Sequence, residues 1–243
     1  MSKWRCILMP QIQLIGDLTK TPIPTGSNIL VEFDPSSQWY NASLTIAAGW
    51  LKQGGALIYN AGGQTPNDIR ATLGQLSANV EELESAGKLM IYDWYTTTLG
   101  QKSREKFAID SLRVHDLCIH FAKEAMDESP NPDLLRIGDN VSTLARFNED
   151  KAWTEFLLTR SFPSSVVRKS TQILGIVKGV HPESVYRTLE AGADGIIDFQ
   201  IDEAGEELRN IMRIRNMRKV VWDARWHQLR LLDNLEVSLE KSA

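Results

Sequence analysis

Over residues 28–200, short and almost continuously apolar runs alternate with stretches in which apolar residues recur at helical spacing. No other feature narrows the fold as much. A strand that is apolar along its whole length must be covered on both faces, and crossover helices supply the cover. The runs fall at residues 29–33, 56–59, 89–92, 134–139, 173–177 and 195–199. They predict an α/β fold with a mainly parallel central sheet and helices on both faces. Helix starts are marked by Thr65-Pro66-Asn67-Asp68, where Thr65 can cap, Pro66 suits the first helical position and Asp68 completes a capping box, and again by Pro182-Glu183. Residues 104–128 carry Phe107, Leu112, Val114, Leu117, Phe121 and Ala122 at helical spacing, which predicts a helix lying on the sheet. After Phe199 the pattern changes. Leu208, Ile211, Met212, Ile214 and Met217, then Trp222, Trp226, Leu229 and Leu231, are interleaved with Arg and Lys, as in antiparallel strands or a hairpin that extends the sheet.

At 243 residues, with 42% apolar and 24% charged residues, the chain is long enough for one domain with a large core. This composition excludes a collagen or a largely disordered chain. Residues 1–21 are expected as an N-terminal extension and residues 22–243 as a single domain. Lys and Arg number 27 against 31 Asp and Glu, so the net charge of −4 gives no global reason to bind nucleic acid or an anionic membrane. Cys6 and Cys118 are too few and too far apart for a disulfide framework, and no disulfide-linked partner is expected. Thiols without a signal-like apolar segment fit a reducing cytoplasm, and no run approaches the ~18 apolar residues of a spanning helix.

In an open parallel sheet, ligands sit at the carboxyl ends of the strands. The first such turn, residues 31–41, reads Val-Glu-Phe-Asp-Pro-Ser-Ser-Gln-Trp-Tyr-Asn and leads into a helix expected over 42–51. It follows a lead-in of Ile23, Pro24, Thr25, Gly26 and Ser27 and keeps an Asp-Pro pair at Asp34 and Pro35. Later come Ile137, Gly138, Asp139 and Asn140 with Ser142, Thr143 and Leu144, then Gly192 to Asp198, and a closing segment with Arg209, Arg215, Asn216, Met217, Arg218, Ala224, Arg225 and Trp226. In this order the segments resemble the RecA-superfamily ATPases, in particular their archaeal KaiC-like branch. The resemblance covers residues 22–232. It implies a RecA-like fold, a phosphate loop at 33–40, a Walker B strand ending at Asp139, and a closing hairpin at a subunit boundary.

The departures from that pattern carry the functional expectation. A G-x-x-x-x-G-K-[ST] loop works because its glycines turn backbone N–H groups toward the phosphates, its Lys neutralises their oxygens and its hydroxyl ligates Mg²⁺. Here Phe33, Ser36 and Gln38 stand at the glycine positions, Trp39 at the Lys position and Tyr40 at the hydroxyl position; Ser37 completes the loop. Where the family carries paired glutamates that activate water, this chain has Gly62 and Gly63. The family's Lys-x-Arg in the hairpin is Asn216, Met217 and Arg218. These losses lead us to expect a pseudo-ATPase with no cofactor, which works through protein partners or self-association as a regulatory or scaffolding subunit. Two alternatives are an accessory protein of DNA recombination or repair resembling a paralogue of the archaeal RadA recombinase, and a weak nucleotide-binding ATPase.

Each singled-out residue also has a plainer reading. Trp39 and Tyr40 are expected to fill the space a nucleotide would take, with stacking on a bound base or partner as the alternative. Asp139 reads as a satisfied strand-end carboxylate. His115, Cys118 and His120 invite a metal, but on one helix His120 projects away from the face shared by the other two, and no metal is expected. His181 and His227 stand alone in the sequence and carry no catalytic reading. Arg213, Arg215, Arg218 and Arg225 are candidates for a subunit contact, with nucleic acid possible and less favoured, and a solvated hairpin face as the plain reading.

Overall fold

A computed structural model describes residues 10–127, 131–203 and 207–240. Ten strands form a single sheet among them. They are β1 (Asn28–Phe33), β2 (Ala56–Ala61), β3 (Leu89–Asp93), β4 (Phe107–Ala108), β5 (Leu134–Gly138), β6 (Thr171–Val177), β7 (Gly195–Asp202), β8 (Arg209–Met217), β9 (His227–Leu231) and β10 (Val237–Leu239). The order across the sheet is β10-β9-β8-β7-β1-β6-β5-β2-β3-β4. From β7 to β4 every pairing is parallel, and β8, β9 and β10 add on antiparallel. The sheet is therefore the mainly parallel arrangement expected from the apolar runs.

Among the described residues eight α-helices flank it: α1 (Trp39–Lys52), α2 (Pro66–Gln75), α3 (Val80–Ser85), α4 (Tyr95–Thr98), α5 (Val114–Asp127), α6 (Asp150–Phe156), α7 (Phe162–Arg168) and α8 (Glu183–Gly192). Strand β1 sits between β6 and β7, and all six of its residues are buried. Ile29, Val31 and Phe33 belong to a core shared with α1 and α2, whereas Leu30 joins a second core under α5, α6 and α8. That division explains the unbroken apolar runs, since a strand with a core on each side has no solvent face. Ile12, Leu14, Ile15 and Leu18 pack into the first core, and Thr19 bridges to Trp222. Cys6 lies outside the described residues.

Local signals hold where they are local. Thr65 Oγ1 accepts from the Asp68 N–H at 3.1 Å and donates to Asp68 Oδ2 at 2.6 Å, and α2 begins at Pro66 as its capping pattern predicts. Pro182 stands at the N-cap position of α8, which begins at Glu183. The single helix expected over 104–128 is corrected. Phe107 lies on the short edge strand β4, opposite Tyr92 with ring centroids 5.2 Å apart, and α5 starts only at Val114. The start is fixed from a distance, because the Val114 N–H donates to Asn148 Oδ1 at 2.8 Å. Helix α1 begins three residues earlier than the expected 42, so Trp39 and Tyr40 form its first turn rather than a loop. The terminal segment has one strand more than a hairpin: β10 pairs with β9, and its Val237 N–H donates to Thr45 Oγ1 in α1 at 2.9 Å.

Candidate functional site

The strand end after β1 is closed by its own chain. The Asp34 N–H donates to the Phe199 carbonyl at 3.0 Å and the Ser37 N–H to the Asp34 carbonyl at 2.9 Å. The Gln38 N–H donates to Asn210 Oδ1 at 3.0 Å, while Asp34 Oδ2 accepts from the Ile201 N–H at 3.2 Å. Three of the loop's backbone donors are thus spent on protein acceptors. Pro35 and Ser36 are exposed at the tip.

Trp39 turns inward from the first turn of α1 and is fully buried. Its indole lies between Phe33, at 6.0 Å between centroids, and Phe199, at 5.3 Å in an edge arrangement. Its Nε1 donates to the Asp139 carbonyl at 2.7 Å, which satisfies the one polar atom of the ring. The ring can enter because β6 carries Gly175 at this level, where an added Cβ would collide with both the Asp139 carbonyl and the indole. A glycine inside an otherwise apolar strand marks such a close approach, and Gly175 in the run 173–177 was the available sequence signal. Tyr40, half-buried, meets Phe33 edge-on at 5.5 Å, and its hydroxyl accepts from Asn140 Nδ2 at 3.1 Å. Burial, with the Asp139 carboxylate adding to it, pushes the phenol up to about 12.

Gly62 and Gly63 face this pair from the end of β2. Their N–H groups donate to Asp139 Oδ1 at 2.7 and 3.0 Å. An added Cβ on Gly62 would stand 2.6 Å from the Asn140 carbonyl, and one on Gly63 would stand 2.5 Å from the Tyr40 hydroxyl. The glycines cradle a carboxylate and make room for the phenol. Asp139 is wholly buried, with no hydrogen-bond partner at Oδ2. Burial raises its carboxyl to about 7, against the lowering effect of the two glycine N–H groups.

The basic candidates do not join this cluster. Arg213 Nε pairs with Asp198 Oδ2 at 2.9 Å, and its guanidinium stacks 4.3 Å over the Trp226 ring. Arg215 reaches Glu32 at 2.6 Å and Glu190 at 2.7 Å, and Lys178 Nζ lies 3.1 Å from Asp198 Oδ1. Burial raises Glu32 to about 7 although Arg215 pulls it down. Arg218 donates to the Ala191 carbonyl at 2.8 Å, and the exposed Arg225 pairs with Asp223 at 2.6 Å. His115 pairs with Asp116 at 3.2 Å, and the His120 ring packs on Tyr92 at 5.5 Å. The acidic half of the ionic cluster, Glu32, Asp198 and Glu190, was missed in the sequence, because three carboxylates on β1, β7 and α8 share no local pattern.

No helix among the described residues is long and apolar enough to cross a membrane. A UPF0273 protein of Aeropyrum pernix is 24% identical over 224 residues, covering 90% of this chain and 88% of that protein. Among solved structures, a KaiC-like protein of Pyrococcus horikoshii matches with a TM-score of 0.72 at 16% identity, over 96% of this chain and 98% of that one. The flagellar accessory protein FlaH of Methanocaldococcus jannaschii matches with a TM-score of 0.69 at 17% identity, over 96% and 100%. The family described as "ATPase: KaiC" matches residues 43–239, beginning in α1 just past the loop and running through β10. The chain belongs to the KaiC ATPase family.

Proposed function

We propose that this protein is a KaiC-family member that does not turn over ATP and that acts through protein contacts, as a regulatory or scaffolding subunit. The observation that carries the reading is the Trp39 indole, buried between Phe33 and Phe199 and hydrogen-bonded to the Asp139 carbonyl at 2.7 Å. It fills the space beside the strand that a phosphate chain would need. The residues do not fit a magnesium nucleotide in other respects. Residues 33–40 contain no cation, and Asp34, Ser37 and Gln38 have already committed their N–H groups. Phosphoryl transfer depends almost entirely on positioned positive charge and donors, so a loop with no cation and three of its N–H donors committed has little to offer it. The carboxylates that would activate water are replaced by Gly62 and Gly63, whose Cβ positions are blocked by Asn140 and Tyr40.

Cytoplasmic location and self-association or a protein partner belong to the same reading. Arg213, Arg215 and Arg218 are engaged within the chain, which leaves the nucleic-acid alternative without a supporting contact. Isothermal titration with Mg-ATP tests the proposal. We expect no heat of binding below millimolar nucleotide and no phosphate release; micromolar affinity, or turnover above the buffer rate, overturns it.

A further inference from the structure

Beside the loop site, the carboxyl ends of β5 and β6 bring together two residues that lie 39 positions apart in the chain. Ser142 is the second residue of the 3₁₀ turn Val141–Arg146 after β5, and its N–H donates to Asn140 Oδ1 at 3.1 Å. His181 lies in the turn after β6, the neighbouring strand. Their side chains meet with Ser142 Oγ 2.8 Å from His181 Nε2. The same oxygen accepts the Val177 N–H at 2.9 Å. With that donor on one lone pair, the hydroxyl proton is left to point at Nε2 in the tautomer that carries the ring proton on Nδ1, and in that tautomer the imidazole is the acceptor and the hydroxyl the donor.

The imidazole is held. Its ring packs against Trp153 at 5.2 Å and Tyr186 at 5.9 Å, and its own backbone N–H donates to the Tyr186 hydroxyl at 3.3 Å. That hydroxyl in turn donates to the Val177 carbonyl at 2.7 Å, so the base and the residue that donates to the serine share one anchor. Burial lowers the imidazole from its ordinary range, with the charge of Asp150 acting the other way, which favours the neutral ring. Both residues are half-buried. An oriented base on a serine hydroxyl is the arrangement that activates a nucleophile, and the Val177 N–H stabilises the oxygen as it loses its proton.

We propose that Ser142 and His181 form a nucleophile–base pair that takes the acyl group of a small activated ester. The Oγ lone pair forms a bond to the carbonyl carbon while the hydroxyl proton passes to His181 Nε2. Collapse of the tetrahedral adduct breaks the bond to the ester oxygen, which takes that proton and leaves as the alcohol. Water, deprotonated by the same imidazole, then releases the carboxylic acid and restores Ser142. This chemistry is independent of the nucleotide reading, and ATP titration bears on neither of its residues.

The experiment exposes the full chain to p-nitrophenyl acetate and, separately, to an alkyl fluorophosphonate, and maps the adduct by peptide mass spectrometry. We expect a stoichiometric burst of p-nitrophenol and a single modified peptide carrying Ser142. His181→Gln is expected to slow modification by about 100-fold or more while the circular dichroism and melting of the protein show it folded. Absence of any adduct on Ser142 in the unmutated chain overturns the proposal, whatever the variants do. Modification of folded His181→Gln at the unmutated rate overturns it equally.

Discussion

Removing the Trp39 indole is the sharpest test of how the strand end is built. Trp39→Ala loses the transfer free energy of a fully buried aromatic, about 2–3 kcal/mol. If the neighbours do not collapse, a residual space on the order of 100 Å³ adds about 2 kcal/mol at ~24 cal/mol per Å³. Collapse is hindered here because Phe33 and Phe199 stand on β1 and β7, paired strands in the middle of the sheet. The Asp139 carbonyl also loses its donor at 2.7 Å, an acceptor left unsatisfied at a cost of about 1 kcal/mol or more. We therefore expect a loss of about 5–6 kcal/mol, read as a lowered urea midpoint at unchanged slope. Trp39→Phe keeps most of the volume and loses the N–H, so it should cost about 1–2 kcal/mol. A loss below about 1 kcal/mol for the alanine variant in a folded protein would refute the wedged indole. Emptying the space should not confer Mg-ATP binding, since the loop still lacks a cation. Micromolar binding by Trp39→Ala would show that the ring alone kept nucleotide out.

Other consequences follow from the same geometry. Gly175→Ala drives a methyl into the Asp139 carbonyl and the indole, neither of which is a free side-chain end, and should destabilise by about 2–3 kcal/mol in the same titration. The Asp139 carboxyl is raised to about 7 from its ordinary 3.8, so the folded state binds more protons between those limits and the group's contribution to stability falls as pH rises through them. Asp139→Asn keeps an acceptor for Gly62 and Gly63 without that titration, so its urea midpoint should gain on the unmutated protein from pH 4 to pH 8; a constant difference would refute the buried-acid reading. Arg215→Met strands the buried Glu32 carboxylate and should cost about 3–5 kcal/mol at pH 8. The cost should shrink near pH 5.5, where Glu32, raised to about 7, holds a proton.

Much of this was legible from the chain alone, for reasons of range. The six runs became β1, β2, β3, β5, β6 and β7, because a strand buried on both faces must be apolar throughout. Thr65 and Pro182 marked helix starts because a cap, or a proline fixing the backbone just before the helix, acts within one turn. The loss of cationic and glycine residues across 33–40 was likewise visible in the sequence, since it is a matter of residue type.

What the sequence could not determine was anything settled by a partner far along the chain. Phe107 has helical spacing but spends its ring on Tyr92, and α5 waits for a cap from Asn148. Gly62 and Gly63 read as positions where the paired glutamates are lost, whereas their role as donors to Asp139 depends on β2 and β5 lying side by side. Arg213 and Arg215 look like free surface charge until β1, β7 and α8 bring Asp198, Glu32 and Glu190 beneath them. His181 stood alone until the pairing of β5 with β6 placed it on Ser142. Residue type and short-range spacing fixed which strands and helices this chain makes and which chemistry its first loop lacks. The order of the strands, which only tertiary packing sets, decided which side chains meet at their ends.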